Sequence, residues 1–146
     1  MNNRWVIVIL ILTSLLSGSF IYFITRSDSI YVNQWLNSID HGNVLRTFQG
    51  LILNTQLPGW IIYSLPNGLW MLALILTIMT IWNFKVNVRS IPWIILSVAS
   101  GLLFEIFQGF QLIRGTFDIK DLFWIFVAAI LPLSLIILKL RSCKAN

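Results

Sequence analysis

Four long apolar runs, separated by short polar segments, dominate the hydropathy pattern of this chain. A helix needs about 20 mostly apolar residues to cross the hydrocarbon core of a bilayer. Runs that meet this requirement cover residues 5–25, 65–82, 91–113 and 121–140, and the second could begin as early as Trp60. The pattern predicts an all-α membrane protein, a single domain over residues 1–146 folded as a bundle of four transmembrane helices.

The connection between the first two spans, residues 27–64, is long and carries apolar residues at helical spacing. One set is Ile30, Trp35, Leu36 and Ile39, and the other is Val44, Leu45, Phe48, Leu51 and Ile52. This spacing predicts two short amphipathic helices lying in the outer membrane interface. They would serve either as a cap on the bundle or as a lid over a headgroup pocket. Ser64 and Pro66 suit an N-cap and a first-turn proline for the second span.

Composition strengthens the assignment to membrane proteins. Hydrophobic residues make up 58% of the chain and charged residues 10%, whereas soluble domains carry roughly 25% charged residues. The mean hydropathy is +0.85. Cys143 is the single cysteine, so an intramolecular disulfide and a C-x-x-C motif are excluded. No segment resembles a nucleic-acid-binding module, and no nucleic-acid partner is predicted.

The distribution of lysine and arginine predicts the orientation of the spans. One face of the membrane would hold six basic residues: Arg4, Lys85, Arg89, Lys139, Arg141 and Lys144. The other would hold four, together with four aspartates: Arg26, Arg46, Arg114, Lys120, Asp28, Asp40, Asp118 and Asp121. Because cytoplasmic loops carry the excess of positive charge, the first face is predicted to be cytoplasmic, with both termini inside.

Glu105 is the acidic residue that lies within an apolar run, and an ionisable group at membrane depth is a candidate functional residue. Ser97, Gly101, Glu105 and Gln108 share one face of the predicted third helix. Such a small and polar stripe faces other helices rather than lipid. The alternative role for Glu105 is structural: a neutral carboxyl held by an interhelical hydrogen bond, because burial disfavours the charged form.

Further polar residues are predicted to join Glu105 at the outer end of the bundle. Asp118 and Asp121 open the fourth span, where capping of the helix is the alternative role for each. Asn67, at the outer start of the second span, belongs to the same layer. Glu105 would lie about 13 Å along a continuous helix from Arg114. That depth would place it at the bottom of an outward-facing pocket.

The residue types in this layer suit the binding of an anion. Arg114 offers a planar donor fork for phosphate or carboxylate, and Glu105, Asp118 and Asp121 could share a divalent cation through oxygen ligands. Together they could hold a lipid phosphate or pyrophosphate through the metal. His41 could act as an acid or base, or simply belong to a turn between the amphipathic helices. The H-E-x-x-H, G-x-S-x-G and P-loop motifs are absent. No cofactor is predicted, and whether the protein is an enzyme stays open.

The motifs EIFQ at residues 105–108 and RGTFDIKD at residues 114–121 resemble those of the VanZ-like family of small bacterial membrane proteins. That family shows Glu-x-x-Gln near the end of its penultimate helix, then a loop with Arg and Asp, then an Asp opening the last helix. This chain departs from it at Ile125, where Asn is common. It departs again at residues 65–70, which lack an Asp-Lys pair and a histidine. The resemblance implies four spans and a plasma-membrane location. It also implies a role in the cell envelope. The founding member of the family is associated with glycopeptide (teicoplanin) resistance.

These observations lead to one functional hypothesis and two alternatives. The first is the binding of an anionic lipid-linked molecule, such as a lipid-linked cell-wall precursor, among membrane lipids at the outer leaflet. Its site would consist of Glu105, Gln108, Arg114, Asp118, Asp121 and Asn67. The alternatives are a non-catalytic subunit that joins a membrane-protein partner in a larger complex, and a metal-assisted hydrolase or transferase acting on a lipid phosphate.

Overall fold

A computed structural model describes residues 4–25, 38, 39, 47, 50, 57–113 and 117–144, with side chains described up to residue 134. Its regular structure in these ranges is entirely helical. The helices are α1 (Arg4–Thr25), α2 (Gly59–Tyr63), α3 (Leu65–Ile81), α4 (Ile91–Gly109) and α5 (Ile119–Lys144). The prediction of an all-α protein is therefore confirmed for the described residues. The two amphipathic helices predicted in the first connection fall almost wholly outside them.

Two of the helices, α1 and α4, are long and apolar enough to cross a membrane. Both expose most of their apolar side chains: buried residues make up only 17% of the most apolar stretch of α1 and 11% of that of α4. Helix α3 is equally apolar but has 17 residues. Helix α5 spans 26 residues and contains the buried Pro132.

Helix α3 lies at the centre of the packing. It contacts α1 on one side and α5 on the other, and α4 packs against both α3 and α5. The buried core joins α3, α4 and α5 and consists of Met71, Ile75, Ile78, Met79, Ile94, Ile125, Ala128 and Ala129. Most of the other large apolar side chains of α1 and α4 are exposed.

Small residues allow α3 to approach its neighbours closely. A Cβ added at Gly18 of α1 would lie 3.0 Å from the Trp70 side chain, and one at Gly68 of α3 would lie 3.0 Å from Trp124 Cβ. The Trp70 indole N–H donates a hydrogen bond to Ser19 Oγ across the first of these contacts, at 3.3 Å. Both interfaces follow the small-residue packing typical of membrane helices.

The start of α1 lies against the turn between α3 and α4. Arg4 Nη2 donates to Asn83 Oδ1 at 2.6 Å. Asn87 shapes the same turn, because its Oδ1 accepts the N–H groups of Arg89 and Ser90 at 3.0 Å each. Arg4 and Arg89, which the charge distribution assigns to one membrane face, thus belong to one end of the helix assembly.

The structure corrects two local predictions. Helix α4 ends at Gly109 and not near residue 113, because Phe110 caps it and Gln111 adopts a left-handed conformation with φ 58°. Ser64 precedes α3 as predicted, but its side chain makes no capping hydrogen bond. Pro66 does lie in the first turn of α3. A separate short helix, α2, ends just before Ser64.

Candidate functional site

Three helix ends meet in one polar layer at the end of the assembly opposite Arg4. Asn67 is the third residue of α3, and Asp121 is the third residue of α5. Glu105 lies four residues before the end of α4, about 6 Å along the axis. The sequence predicted a continuous helix to Arg114, which would put Glu105 about 13 Å from the helix end. Because α4 ends at Gly109, this distance is shorter.

Glu105 and Asp121 form a buried carboxyl pair. Glu105 is 2% exposed and Asp121 is 6% exposed. The Glu105 carboxyl lies beside the Asp121 carboxyl and the backbone N–H of Asp118. Asn67 Nδ2 donates to Asp121 Oδ2 at 3.1 Å and so links α3 to the pair. The predicted convergence of these three side chains is confirmed.

The pair is incompletely satisfied. Glu105 Oε2 and Asp121 Oδ1 are buried and accept no hydrogen bond from a described residue. None of the described lysine and arginine side chains forms an ion pair with either carboxyl. Two carboxylates in contact cannot both stay charged without a cation beside them. The site therefore requires a proton or a bound cation.

Asp118 has a different role from Asp121. Its Oδ1 accepts the backbone N–H of Lys120 at 2.9 Å, which is the side-chain capping expected of an aspartate before a helix. Its side chain is half-buried and does not line the cavity described below. The capping alternative holds for Asp118, whereas Asp121 pairs across helices with Asn67 and Glu105.

The remaining predicted site residues are not brought into this cluster. Gln108 is half-buried, and its side chain makes no hydrogen bond with another described residue. Arg114 and His41 lie outside the described residues, so their predicted roles stay predictions. Glu105, Asp118 and Asp121 do not assemble a group of three ligands that could hold a metal ion, and no other such group of His, Cys, Asp and Glu occurs in the described ranges.

The predicted polar stripe of α4 does face the helix assembly. Ser97 is buried, but its hydroxyl donates to the Trp93 carbonyl oxygen at 2.8 Å within the same helix. Gly101 lies at close packing distance, since an added Cβ would approach Met71 Cε to 2.9 Å. Ser97 and Gly101 therefore mainly allow close helix packing, and Glu105 is the residue of the stripe whose side chain contacts a polar group on another helix.

A cavity of about 380 Å³ opens beside Glu105, between α3 and α4. Its lining consists of Asn67, Trp70, Met71, Leu74, Ser100, Gly101, Phe104, Glu105 and Ile125. Ligand pockets typically occupy about 300–1,000 Å³, are largely apolar and hold a few placed polar groups. Phe104 and Leu74 are exposed, at 57% and 44%, so the cavity opens sideways, between the apolar outer faces of α3 and α4.

The apolar walls of this cavity were not predicted as site residues. Their sequence signal is their spacing: Trp70, Met71 and Leu74 follow Asn67 by three, four and seven residues, and Gly101 precedes Glu105 by four. Residues three, four and seven apart share a helical face. Most of the cavity lining therefore shares a helical face with Asn67 or Glu105, whereas Phe104, next to Glu105, has no such signal.

No family model, no curated protein and no solved structure matches this chain. The candidate site is defined by the geometry of the chain itself. That geometry is a buried acidic pair, linked to α3 by the Asn67–Asp121 hydrogen bond, that borders a sideways-opening apolar cavity. Such an arrangement suits a ligand with an apolar part and a polar group able to contact Glu105.

Proposed function

We propose that this protein is a four-helix, VanZ-like protein of the bacterial plasma membrane that binds a phosphate-bearing lipid at the outer leaflet. The lipid would be an anionic lipid-linked molecule of the kind that carries cell-wall precursors. The observation that carries the proposal is the buried Glu105–Asp121 pair at the inner wall of a cavity that opens between two apolar helix faces.

The exposure of α1 and α4 supports a membrane environment. A core helix of a soluble protein is mostly buried, but α1 and α4 expose most of their apolar residues. Large exposed apolar patches on a soluble monomer would promote association. Lipid surrounding the helices removes this cost, and α3 and α5 would complete the bundle as the second and fourth spans.

The position of the cavity supports lipid as its ligand. A lipid can enter sideways, with its chains along Leu74 and Phe104 and its headgroup at the level of Glu105. The first turns of α3 and α5 lie at this level, and the positive ends of helix dipoles favour anionic groups. The Arg114 guanidinium, in the connection that precedes α5, would supply a charged contact to phosphate.

The proposed topology predicts opposite labelling of two exposed loop positions. Single cysteines are introduced at Val86, in the α3–α4 turn, and at Leu112, after α4, in a Cys143→Ser background. The native Val86 and Leu112 side chains are 49% and 69% exposed. A membrane-impermeant maleimide is expected to label Leu112→Cys in intact cells and Val86→Cys only after permeabilisation. Labelling of both positions, or of Val86→Cys alone, in intact cells would contradict the proposed orientation.

Native mass spectrometry of gently extracted protein tests the proposed ligand. The wild type is expected to retain a phosphate-bearing lipid, and the Glu105→Gln, Asp121→Asn double variant is expected to retain it at least about tenfold less, because a hydrogen-bond donor on the headgroup would lose its carboxyl acceptor. Asp118→Asn is the matched control. It removes a nearby negative charge but keeps a good helix cap, and it should retain the lipid as the wild type does.

The same measurement distinguishes the subunit alternative. If wild type and double variant give identical spectra without a specific lipid, the acidic pair is structural and lipid binding is excluded as its role. Co-purification of one membrane protein at fixed stoichiometry would then identify the chain as a subunit of a larger complex.

A further inference from the structure

We propose that the group placed against Glu105 is a primary ammonium, so that the bound lipid carries an amine as well as a phosphate. This inference rests on the proposed function and specifies the chemistry of its ligand. Glu105 lines the cavity, is 2% exposed, and leaves Oε2 without a hydrogen-bond partner. Asp121 lies behind it and leaves Oδ1 without one.

The charge of the pair favours a cation at this position. Two buried carboxyls in contact need a proton or a positive group beside them. A bare phosphate brought against Glu105 would add a third negative group to the site. An ammonium group instead offers three N–H donors, and the pair leaves two acceptor oxygens without partners among the described residues. It also compensates the negative charge of the pair.

The surroundings of Glu105 favour an organic cation over a metal ion. Calcium takes six to eight oxygen ligands, and magnesium demands a near-octahedral set with several waters. The described part of the cavity offers the Glu105 carboxyl, the Asn67 amide and the Ser100 hydroxyl as polar groups, and the other lining residues are apolar or aromatic. These walls suit the methylene groups that adjoin an alkylammonium.

Two aromatic residues on the same cavity add to this preference. Trp70 and Phe104 both line it, one from α3 and one from α4. Aromatic faces attract ammonium groups, tryptophan most strongly. Trp70 is also held in position, because its indole N–H bonds Ser19 Oγ. A carboxylate flanked by aromatic side chains is a favourable environment for a cationic headgroup.

The test compares lipids that differ only at the amine. Wild-type protein is reconstituted in phosphatidylglycerol nanodiscs containing a small, equal fraction of phosphatidylethanolamine and of its N-acetylated derivative. Native mass spectrometry then measures which lipid is retained. The aminated lipid is expected to be enriched at least about tenfold over the acetylated one, since a charge-assisted contact is lost on acetylation.

Two variants and two soluble competitors complete the experiment. Glu105→Gln should abolish the preference for the amine, and Asp118→Asn should retain it. Glycerophosphoethanolamine presents the same ammonium without lipid chains, and magnesium chloride presents a metal cation. Neither is expected to displace the aminated lipid at millimolar concentration.

Each outcome decides a separate claim. Equal retention of both lipids overturns the ammonium inference but leaves lipid binding intact. Displacement by magnesium also overturns it, in favour of a metal site. Displacement by glycerophosphoethanolamine alone supports the ammonium group but identifies a soluble amine as its source and contradicts the proposed lipid ligand. If the protein retains no lipid, both proposals are overturned.

Discussion

Gly68→Leu is expected to destabilise the helix assembly by about 3 kcal/mol, at the upper end of the cost of overpacking a close interface. The α3–α5 contact has no room for a side chain at this position. A Cβ added at Gly68 would lie 3.0 Å from Trp124 Cβ and 3.3 Å from the Trp124 carbonyl oxygen. Because the second of these is a backbone atom, the two helices would have to separate.

Gly59→Leu is the matched control for this substitution. A Cβ at Gly59 meets only the exposed Tyr63 ring, at an ordinary distance of 3.8 Å. Both variants replace a helical glycine with a good helix former, so intrinsic propensity cannot explain a loss confined to Gly68. The measurement is the free energy of unfolding in mixed detergent micelles, with circular dichroism as the readout of unfolding. An unchanged value for Gly68→Leu would show that α3 and α5 are not packed this closely.

The sequence predicted those parts of the fold that depend on local patterns. The apolar runs located α1, α3, α4 and α5, because hydropathy along a helix is a local property. The stripe from Ser97 to Glu105 correctly predicted which face of α4 turns inward. Asp118 was given capping as its alternative role, and capping also depends only on neighbouring residues.

The rest of the site depends on contacts between residues that are distant in the chain. Asn67 and Asp121 are 54 positions apart, and no periodicity within one helix reveals which residue on another helix it contacts. The end of α4 was missed for a different, local reason. Apolar residues continue to Ile113, so hydropathy predicts a longer helix, whereas the left-handed Gln111 ends it. This earlier end brings Glu105 nearer to the surface layer.

Glu105→Gln is expected to have opposite effects on stability and on ligand retention. In the lipid-free protein, the pair needs a proton to offset the repulsion between its two carboxylates, and the substitution replaces one carboxyl with a neutral amide of the same shape that needs none. The new amide N–H₂ can donate to the unpartnered Asp121 Oδ1, and its oxygen can still accept the Asp118 backbone N–H. A hydrogen bond to a charged group contributes about 2 kcal/mol. The variant should therefore be about 2 kcal/mol more stable than the wild type.

Addition of the aminated lipid should reverse this order. A ligand that binds only the folded state stabilises it according to its concentration relative to its Kd, by about 2.7 kcal/mol at a hundredfold excess over Kd. The wild type would gain this stability and the Glu105→Gln variant would not. Gains of this kind at the expense of function are typical of residues kept for binding rather than for folding.

Asp118→Asn separates this mechanism from a general effect of removing negative charge. It removes one negative charge from the same layer but leaves the Glu105–Asp121 pair unchanged. Neither the stability gain nor the loss of lipid response is therefore expected. The measurement is the unfolding free energy of all three proteins with and without lipid. A less stable Glu105→Gln variant in the absence of lipid would mean that the pair already shares a proton in a favourable hydrogen bond. The carboxyl pair would then stabilise the fold and would not await a ligand.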